Sequence, residues 1–394
     1  MAVGALTLAP ATMIAQQVTV GGQVRFRSEY RDPTPGGVRG TFHGAGDAFT
    51  SMRARIQVDS KLEGNLRILA QLQDVRLWGS ESTTLGDFNA DDLDLHQGFI
   101  DLSSRDDSWR GRAGRQEVNL GGQRLIGAVD WEQQARSFDG LRLEHLVRGT
   151  GGTVLAFQTA DATAPSHDTD AGVFVGHGRI NNLLGGVLGL YAIYDTRNGS
   201  APVDRGTFGL RQAGTIDRFE YRLEGYYQTG KMAGADVAAF MVGARLGTAL
   251  GKGTVALWYD YLSGDDDPTD GTIRVFDTLF ATNHKFYGYA DLFLAIPAAT
   301  GGFGLQDAAL KGTYRPSPPL LLDLDFHSFR AARRGSLSTR RFGEEIDLAG
   351  RWSYNEHLTV SGGGAYVVQG DALAELGRLD RDMTWLYLMV DATF

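Results

Sequence analysis

The segment Val18-Thr19-Val20-Gly21-Gly22-Gln23-Val24-Arg25-Phe26-Arg27-Ser28-Glu29-Tyr30-Arg31 decides the fold. Val18, Val20, Val24, Phe26 and Tyr30 share one parity; Thr19, Gln23, Arg25, Arg27, Glu29 and Arg31 share the other. A period of two puts each set on one face of an extended strand. The alternation recurs. Met52, Ala54, Ile56, Val58 and Leu62 interleave with Arg53, Arg55, Gln57, Asp59, Lys61 and Glu63. Phe219, Tyr221, Leu223 and Tyr227 interleave with Glu220, Arg222, Glu224 and Gln228. Leu320, Leu322, Leu324 and Phe326 interleave with Asp323, Asp325 and His327, and Ile346, Leu348, Trp352 and Tyr354 with Glu345, Asp347, Arg351 and Ser353. One such strand fits a soluble sandwich. Many in a row, charged on one face and aromatic near the ends, predict an all-β fold: a transmembrane antiparallel up-and-down β-barrel with lipid outside and a polar lumen. Lipid also demands closure, because an open edge would leave backbone groups unpaired in hydrocarbon.

Working outward, candidate strands fall near 18–31, 50–63, 65–78, 93–104, 109–119, 136–147, 152–160, 172–181, 184–196, 205–215, 218–230, 236–248, 252–263, 286–295, 304–315, 319–330, 343–355, 357–369 and 382–394. That is nineteen. Bacterial barrels have even strand numbers, so one candidate is surplus and about 18 strands are expected. Strands 65–78 and 93–104 alternate poorly, and a bulge near Asp74 would restore the first. Connections such as Leu62 to Asn65, Thr215 to Arg218, Gly247 to Gly253, Ser317 to Pro319 and Tyr354 to His357 are short and suit the periplasmic side. Asp32 to Phe49, Gly79 to Asp92, Ala160 to Ala171, Ser263 to Lys285, Ala331 to Arg341 and Asp371 to Arg381 are long, polar and suited to the outside. The last residues, Leu386, Leu388, Val390, Ala392 and Phe394, share one parity and stop on an aromatic ring. This pattern resembles the signal by which bacterial barrels engage their outer-membrane assembly machinery.

Composition sets the bounds. The 394 residues include 53 glycines, 10 prolines and no cysteine, with a formal net charge of −9. The acidic balance argues against nucleic acid as a partner. Residues 1–15, ending in the apolar run AVGALTLAPATMIA from Ala2 to Ala15, read as a truncated secretory signal with no basic start, and residues 16–394 as one barrel domain. No later apolar run reaches the roughly 18 residues of a helical span. Outer-membrane lipid and lipopolysaccharide are therefore the expected surroundings, and no cofactor is expected.

Two blocks carry a family resemblance. Gly114-Arg115-Gln116-Glu117 continues to Gly121-Gly122-Gln123-Arg124-Leu125-Ile126-Gly127, followed by Trp131 and Arg136-Ser137-Phe138-Asp139-Gly140-Leu141-Arg142. Later, Phe276-Asp277-Thr278-Leu279-Phe280-Ala281-Thr282-Asn283-His284-Lys285-Phe286-Tyr287-Gly288 precedes Asp291-Leu292-Phe293. Together these resemble the alginate-export family of outer-membrane porins. The resemblance implies an eighteen-stranded barrel passing an anionic polysaccharide or another solute; alginate itself does not follow.

Guanidinium pairs with carboxylate through two parallel hydrogen bonds and stays charged at any relevant pH. A ladder formed by Arg53, Arg55, Arg67, Arg115, Arg124, Arg136 and Arg142 would lower the barrier for an anionic saccharide or small anion. The same arginines can instead brace the wall against Asp101, Glu117, Asp130, Asp139 or Glu144. Inward charges of the first strands are mostly basic: Arg25, Arg27, Arg31, Arg53, Arg55, Lys61 and Arg67. Those near the C-terminus, Asp323, Asp325, Glu345 and Asp347, lean acidic. Closure should make the two arcs near neighbours, with Arg53, Arg55 and Arg67 freer than Arg25 and Arg27. Anion selectivity is expected despite the net charge, since Asp91, Asp92, Asp265, Asp266 and Asp267 belong to outer loops.

Asp265, Asp266, Asp267 and Asp270 suggest calcium weakly, but Pro268 and Thr269 fall where an EF-hand places ligands. A solvated loop is the better reading, and no metal is assigned. His284 with Asp277 or Asp291 resembles an acid–base pair, but a lone histidine among aromatics is more often structural. No nucleophile elbow, thiol, H-E-x-x-H pair or phosphate loop is present, which argues against an enzyme. A channel for anions, a general porin, and a non-transporting barrel (adhesin or barrel enzyme) remain as alternatives.

Overall fold

The computed structural model describes residues 17–35, 48–79, 93–160 and 170–394. The segment read as a signal peptide, and Asp91 and Asp92, lie outside them. The strands are β1 (Gln17–Asp32), β2 (Ala48–Leu62), β3 (Leu66–Leu77), β4 (Asp94–Ser103), β5 (Trp109–Gln116), β6 (Phe138–Val147), β7 (Thr150–Ala160), β8 (Ala171–Leu183), β9 (Gly186–Arg197), β10 (Val203–Ile216), β11 (Phe219–Met232), β12 (Ala235–Leu250), β13 (Gly253–Leu262), β14 (Thr272–Ile273), β15 (Leu305–Ser317), β16 (Leu320–Arg330), β17 (Arg341–Ser353), β18 (Leu358–Gln369) and β19 (Met383–Thr393). Each long strand pairs antiparallel with the next; β13 passes to β15, and β19 returns to β1. β14 is a two-residue parallel attachment at the start of β12. The result is a closed antiparallel barrel of 18 long strands. No described helix is long and apolar enough to cross a membrane.

Alternation survives as predicted on β1. Val18, Val20 and Tyr30 are exposed outward, while Arg25, Arg27, Glu29 and Arg31 are buried inward. The outer face ends in aromatic rings at both rims, among them Tyr30, Trp78 and Tyr366 at one and Trp109, Trp352, Tyr354 and Phe394 at the other.

The surplus strand is 286–295. Its apolar residues occupy both parities, and Phe286, Tyr287, Leu292 and Phe293 are all buried, so no outward lipid face exists there. The segment belongs to a loop, 263–304, which also carries the four-residue helix α1 (Ile296–Ala299). The expected bulge also moves. β2 and β3 pair without interruption past Asp74, and the register shift lies in β4, where Gln71 faces Gln97 but Leu72 faces Leu95, skipping His96. Two extracellular connections are short: 198–202, and the turn Ala233-Gly234, whose positive φ values suit a two-residue hairpin.

The lumen is not uniformly polar. Leu155, Phe157, Val173, Val175 and Ile193 point inward from β7, β8 and β9 and are buried. They pack in one apolar cluster with Val118, Leu120 and Phe138, and with Phe276, Phe286 and Phe293 of the long loop. Burying such surface is worth roughly 25 cal/mol per Å². The loops therefore pack apolar side chains into the lumen on this side.

Phe394 completes closure. Its N–H donates to Gly22 O at 3.1 Å, and Gly22 N–H donates to Phe394 O at 3.0 Å, extending the β1–β19 ladder past Thr393. The ring covers Gly22, where a Cβ would stand 2.4 Å from Phe394 Cζ. Deleting Phe394 removes both bonds and exposes the seam. The deletion is expected to lower the amount of heat-modifiable protein in outer membranes several-fold, read by gel mobility of unboiled samples. Unchanged levels would show that the terminal ring has no role in assembly.

Candidate functional site: a constriction built by two inward loops

Residues 117–137 leave the extracellular end of β5 and turn into the lumen instead of outward. Gly121 and Gly122 make that path possible. Gly121 has φ +51°, and a Cβ there would lie 1.9 Å from Tyr191 Oη; at Gly122 a Cβ would lie 3.1 Å from Arg211 Nε. Only glycine lets backbone pass this close to the wall. The next side chain but one, Arg124, reaches across to β11 and β13. Its Nη2 lies 3.0 Å from Glu224 Oε1 and 2.8 Å from Asp260 Oδ2, and its Nη1 donates to Tyr287 Oη at 2.8 Å. The guanidinium also stacks 3.6 Å from the Phe286 ring centroid. Burial opposes its charge, but the carboxylates of Asp260 and Glu224 outweigh burial and hold its pKa above the ordinary arginine value.

Loop 263–304 enters from β13 and pairs with the first loop. Phe280 N–H donates to Leu125 O (2.9 Å), Gly127 N–H to Phe280 O (2.9 Å) and Thr282 N–H to Gln123 O (3.1 Å). Arg136 Nη1 donates to Phe280 O at 2.5 Å and Gly127 O at 3.4 Å; burial alone pushes its pKa down to about 10. The two sequence blocks are thus one structural unit.

The basic arc grips this unit. Arg25 Nε donates to Gln133 Oε1 at 2.9 Å and its Nη1 to Asp130 O at 2.8 Å; Arg27 Nη1 donates to Trp131 O at 2.5 Å. Arg53 is fully buried, with Nη1 2.9 Å from Asp130 Oδ1 and both Nε and Nη2 donating to Gln23 Oε1. Arg55 reaches Asp130 and Glu117 at 3.5 Å and Gln73 Oε1 at 2.6 Å. The expectation that Arg53 and Arg55 stand freer than Arg25 and Arg27 is corrected: all four hold the loop, because Asp130 and its neighbouring carbonyls reach the wall there.

Arg67 makes a two-pronged pair with Asp59 (2.9 and 2.8 Å) and also reaches Asp101 at 3.3 Å. Arg142 lies 2.6 Å from Glu144. Arg115 shares the parity of outward Ala113. It pairs with exposed Asp139 at 2.8 Å and Asp94 at 3.6 Å on the outer face near the rim. The structure therefore gathers Arg53, Arg55, Arg124 and Arg136 around the loops, leaves Arg67 and Arg142 on the lower wall, and puts Arg115 outside.

Below the constriction opens a cavity of about 580 Å³, lined by Lys285 and Arg351, by Asp323, Glu356 and Asp391, and by Trp131, Tyr289 and Tyr387, and reaching the periplasmic turn at His357. Lys285, within the second sequence block, joins the site although its residue type and spacing alone do not mark it. It projects from the loop with Arg211, Arg124 and Arg222 as its charged neighbours; burial, then those guanidiniums, push its pKa below the ordinary lysine value. Arg179 and Arg211 face inward at one level, each opposite Gly189 between them. Arg211 has Glu224 only at 3.9 Å. The signal that could have found Lys285 was the failed alternation of 286–295, which marks its loop as internal.

The acidic arc lies on β15, β16 and β17, separated from β1 by β18 and β19. There Asp325 is 2.6 Å from Lys311, and His327 Nδ1 is 2.9 Å from Asp307 Oδ1. His284 Nδ1 is 2.6 Å from Asp291 Oδ1 within its own loop, and its ring stacks at 4.2 Å on Trp131 of the other loop, so the histidine orders the two against each other. The Asp265–Asp270 stretch closes on itself. Asp265 accepts from the N–H groups of Asp267 and Arg274, Asp270 lies 2.8 Å from Arg274 Nη1, and Asp267 accepts from Thr269. These carboxylates are used in loop turns. Among the described residues, the group whose ligand atoms do converge is Asp325, His327 and Asp347.

The geometry can be set beside known proteins. A family model described as alginate export matches residues 16–386. No curated relative matches. Solved structures share the fold. Pseudomonas aeruginosa OccK3 (OpdO) superposes with a TM-score of 0.65 at 14% identity, covering 96% of this chain and 95% of that one. The outer membrane protein OprD from Pseudomonas aeruginosa gives 0.66 at 12% identity, covering 98% and 96%. Pseudomonas aeruginosa OccK2 (OpdF), solved in complex with glucuronate, gives 0.57 at 14% identity, covering 96% and 98%.

Proposed function

Because the chain belongs to the alginate-export family and is an outer-membrane channel for solutes, we propose that its solutes are anionic, of the acidic-saccharide class, and cross past Lys285. The observation that carries this reading is the cavity beneath the loops, where Lys285 and Arg351 share one wall space with Trp131, Tyr289 and Tyr387, on a lining that also carries Asp323, Glu356 and Asp391. An acidic sugar offers a carboxylate to the cations and an apolar ring face to the aromatics, and guanidinium or ammonium groups left partly hydrated attract without trapping. A structure similar in fold holds glucuronate, a sugar acid of this kind. Lipid and lipopolysaccharide would meet the outward aromatic rims.

The second reading is a general porin. It is favoured by the number of lumen arginines already saturated by protein carboxylates, Arg53, Arg67 and Arg124 among them. Reversal potentials across a planar bilayer in a KCl gradient separate the two. The anionic reading expects chloride preference, and partial block of the current by millimolar glucuronate or oligouronate. Cation preference with no block would leave the general porin standing.

A further inference from the structure

The inner faces of β15, β16 and β17 carry a buried group that neither reading of the pore uses. Asp307, Asp325, Glu345 and Asp347 are all buried carboxylates, and the cations beside them are Lys311 and, when protonated, His327. His327 has no solvent exposure. Its Nδ1 sits 2.9 and 3.0 Å from the two oxygens of Asp307. In the neutral ring that contact fixes the proton on Nδ1 and leaves Nε2 as a lone pair. Nε2 has no hydrogen-bond partner and points toward Asp347, whose Oδ2 is 4.0 Å away. Asp347 Oδ1 and Glu345 Oε2 are likewise buried with no donor from another element, and the two carboxyls lie against each other. Ligand atoms of Asp325, His327 and Asp347 all lie within 4.8 Å of one another.

Lys311 meets Asp325 at one oxygen, but the lone pairs of His327 Nε2, Asp347 Oδ1 and Glu345 Oε2 stay buried without a donor, which is costly. We propose that Asp325, His327 and Asp347 bind a divalent transition-metal cation of the zinc class, with Asp307 orienting His327 from behind. One imidazole nitrogen and two carboxylates form a mixed nitrogen–oxygen set, which suits zinc and its neighbours and not calcium or magnesium, both of which take oxygen. A carboxylate on the far nitrogen of a metal-binding histidine is the usual way its ring is held. Half-buried Asp323, two residues before Asp325 on the same inward face, gives the site a hydrated side toward the lumen. Tyr289 N–H donates to Asp347 Oδ2 at 3.3 Å, and Ala290 N–H to Glu345 Oε1 at 2.8 Å. A cation here would tie the loop that carries Lys285 to two barrel strands.

The test uses the full barrel, purified in detergent and shown to be folded by its heat-modifiable mobility. After EDTA treatment and dialysis it is titrated calorimetrically with zinc chloride, then with calcium chloride. Zinc should saturate at one equivalent and calcium should not compete. Asp307→Asn should weaken zinc binding about 10–100-fold, and His327→Gln should weaken it at least as much. Absence of saturable zinc binding in the parent, equal binding in a folded His327→Gln variant, or equal competition by calcium would each overturn the site. Should His327→Gln not fold, zinc-edge X-ray absorption of the parent decides: imidazole scattering supports the site, and an all-oxygen shell refutes it.

Discussion

Arg124→Ala is expected to raise single-channel conductance and, in the same protein, to lower the unfolding temperature. The side chain is the far anchor of loop 117–137: it leaves the loop beside Gly122 and ends between Glu224, Asp260 and Tyr287 on the opposite side. Its removal leaves Glu224 and Asp260 buried with Arg222 as their remaining close partner, at 3.1 and 3.0 Å. Breaking a buried ionic cluster by deleting one partner costs about 3–5 kcal/mol. Part of that strain is relieved if the loop swings away and admits water, and this movement is what widens the pore. Arg124→Lys should recover little, because an ammonium cannot reproduce the forked contacts. Conductance in planar bilayers and the temperature at which the folded gel band disappears are the two readouts. A lower unfolding temperature with parental conductance would mean that the loop keeps its place without Arg124 and that the arginine braces the wall alone.

The barrel was legible because lipid and lumen impose opposite chemistry on alternate residues. Where one face meets lipid the pattern is clean, as on β1, β2 and β16, and each candidate segment there became a strand. The pattern misleads where a strand's inner face is covered by chain. Leu155, Phe157, Val173 and Val175 are apolar on the inside because the loops pack on them, so those strands read as hydrophobic on both faces. Segment 286–295 stands among the strand candidates, although its apolar residues at both parities are the mark of burial on all sides, which no lipid-facing strand needs. Asp101, Glu117, Asp130, Asp139 and Glu144 were legible as bracing acids, and each does meet an arginine, but which arginine meets which was not. Arg53 and Asp130, or Arg124 and Asp260, are brought together by how the two loops fold inward, and nothing in their spacing along the chain announces it. The parity of Arg115, two residues after outward Ala113 and one before inward Gln116, places it outside, whereas its charge alone suggests the lumen.

Anion preference should fall as the pH is raised from 7 toward 10, and Lys285→Gln should remove most of that fall. Lys285 projects toward the cavity from loop 263–304, within the field of Arg211, Arg124 and Arg222. Burial and then these like charges favour its neutral form, so its pKa lies below the ordinary lysine value of about 10.4. The sign follows directly. At neutral pH the ammonium is present and adds to the attraction for anions; as pH climbs through its lowered pKa the charge is lost, before ordinary lysines have titrated. Arg124, in the same field, is held above the ordinary arginine value and keeps its charge over this range, and the comparison with Lys285→Gln separates Lys285 from other groups that titrate there. In Lys285→Gln the reversal potential at pH 7 should already lie nearer zero and should change little up to pH 9. The screening length at physiological salt is about 8 Å, so repeating the gradient at higher salt should shrink the difference between parent and variant. Arg115→Gln is the control, because Arg115 pairs with Asp139 and Asp94 on the outer face and its loss should leave selectivity at the parental value. A parental pH profile in Lys285→Gln would remove Lys285 from the anion path. An equal loss of selectivity in Arg115→Gln would mean that charge outside the lumen, rather than the lining of the constriction, sets the preference.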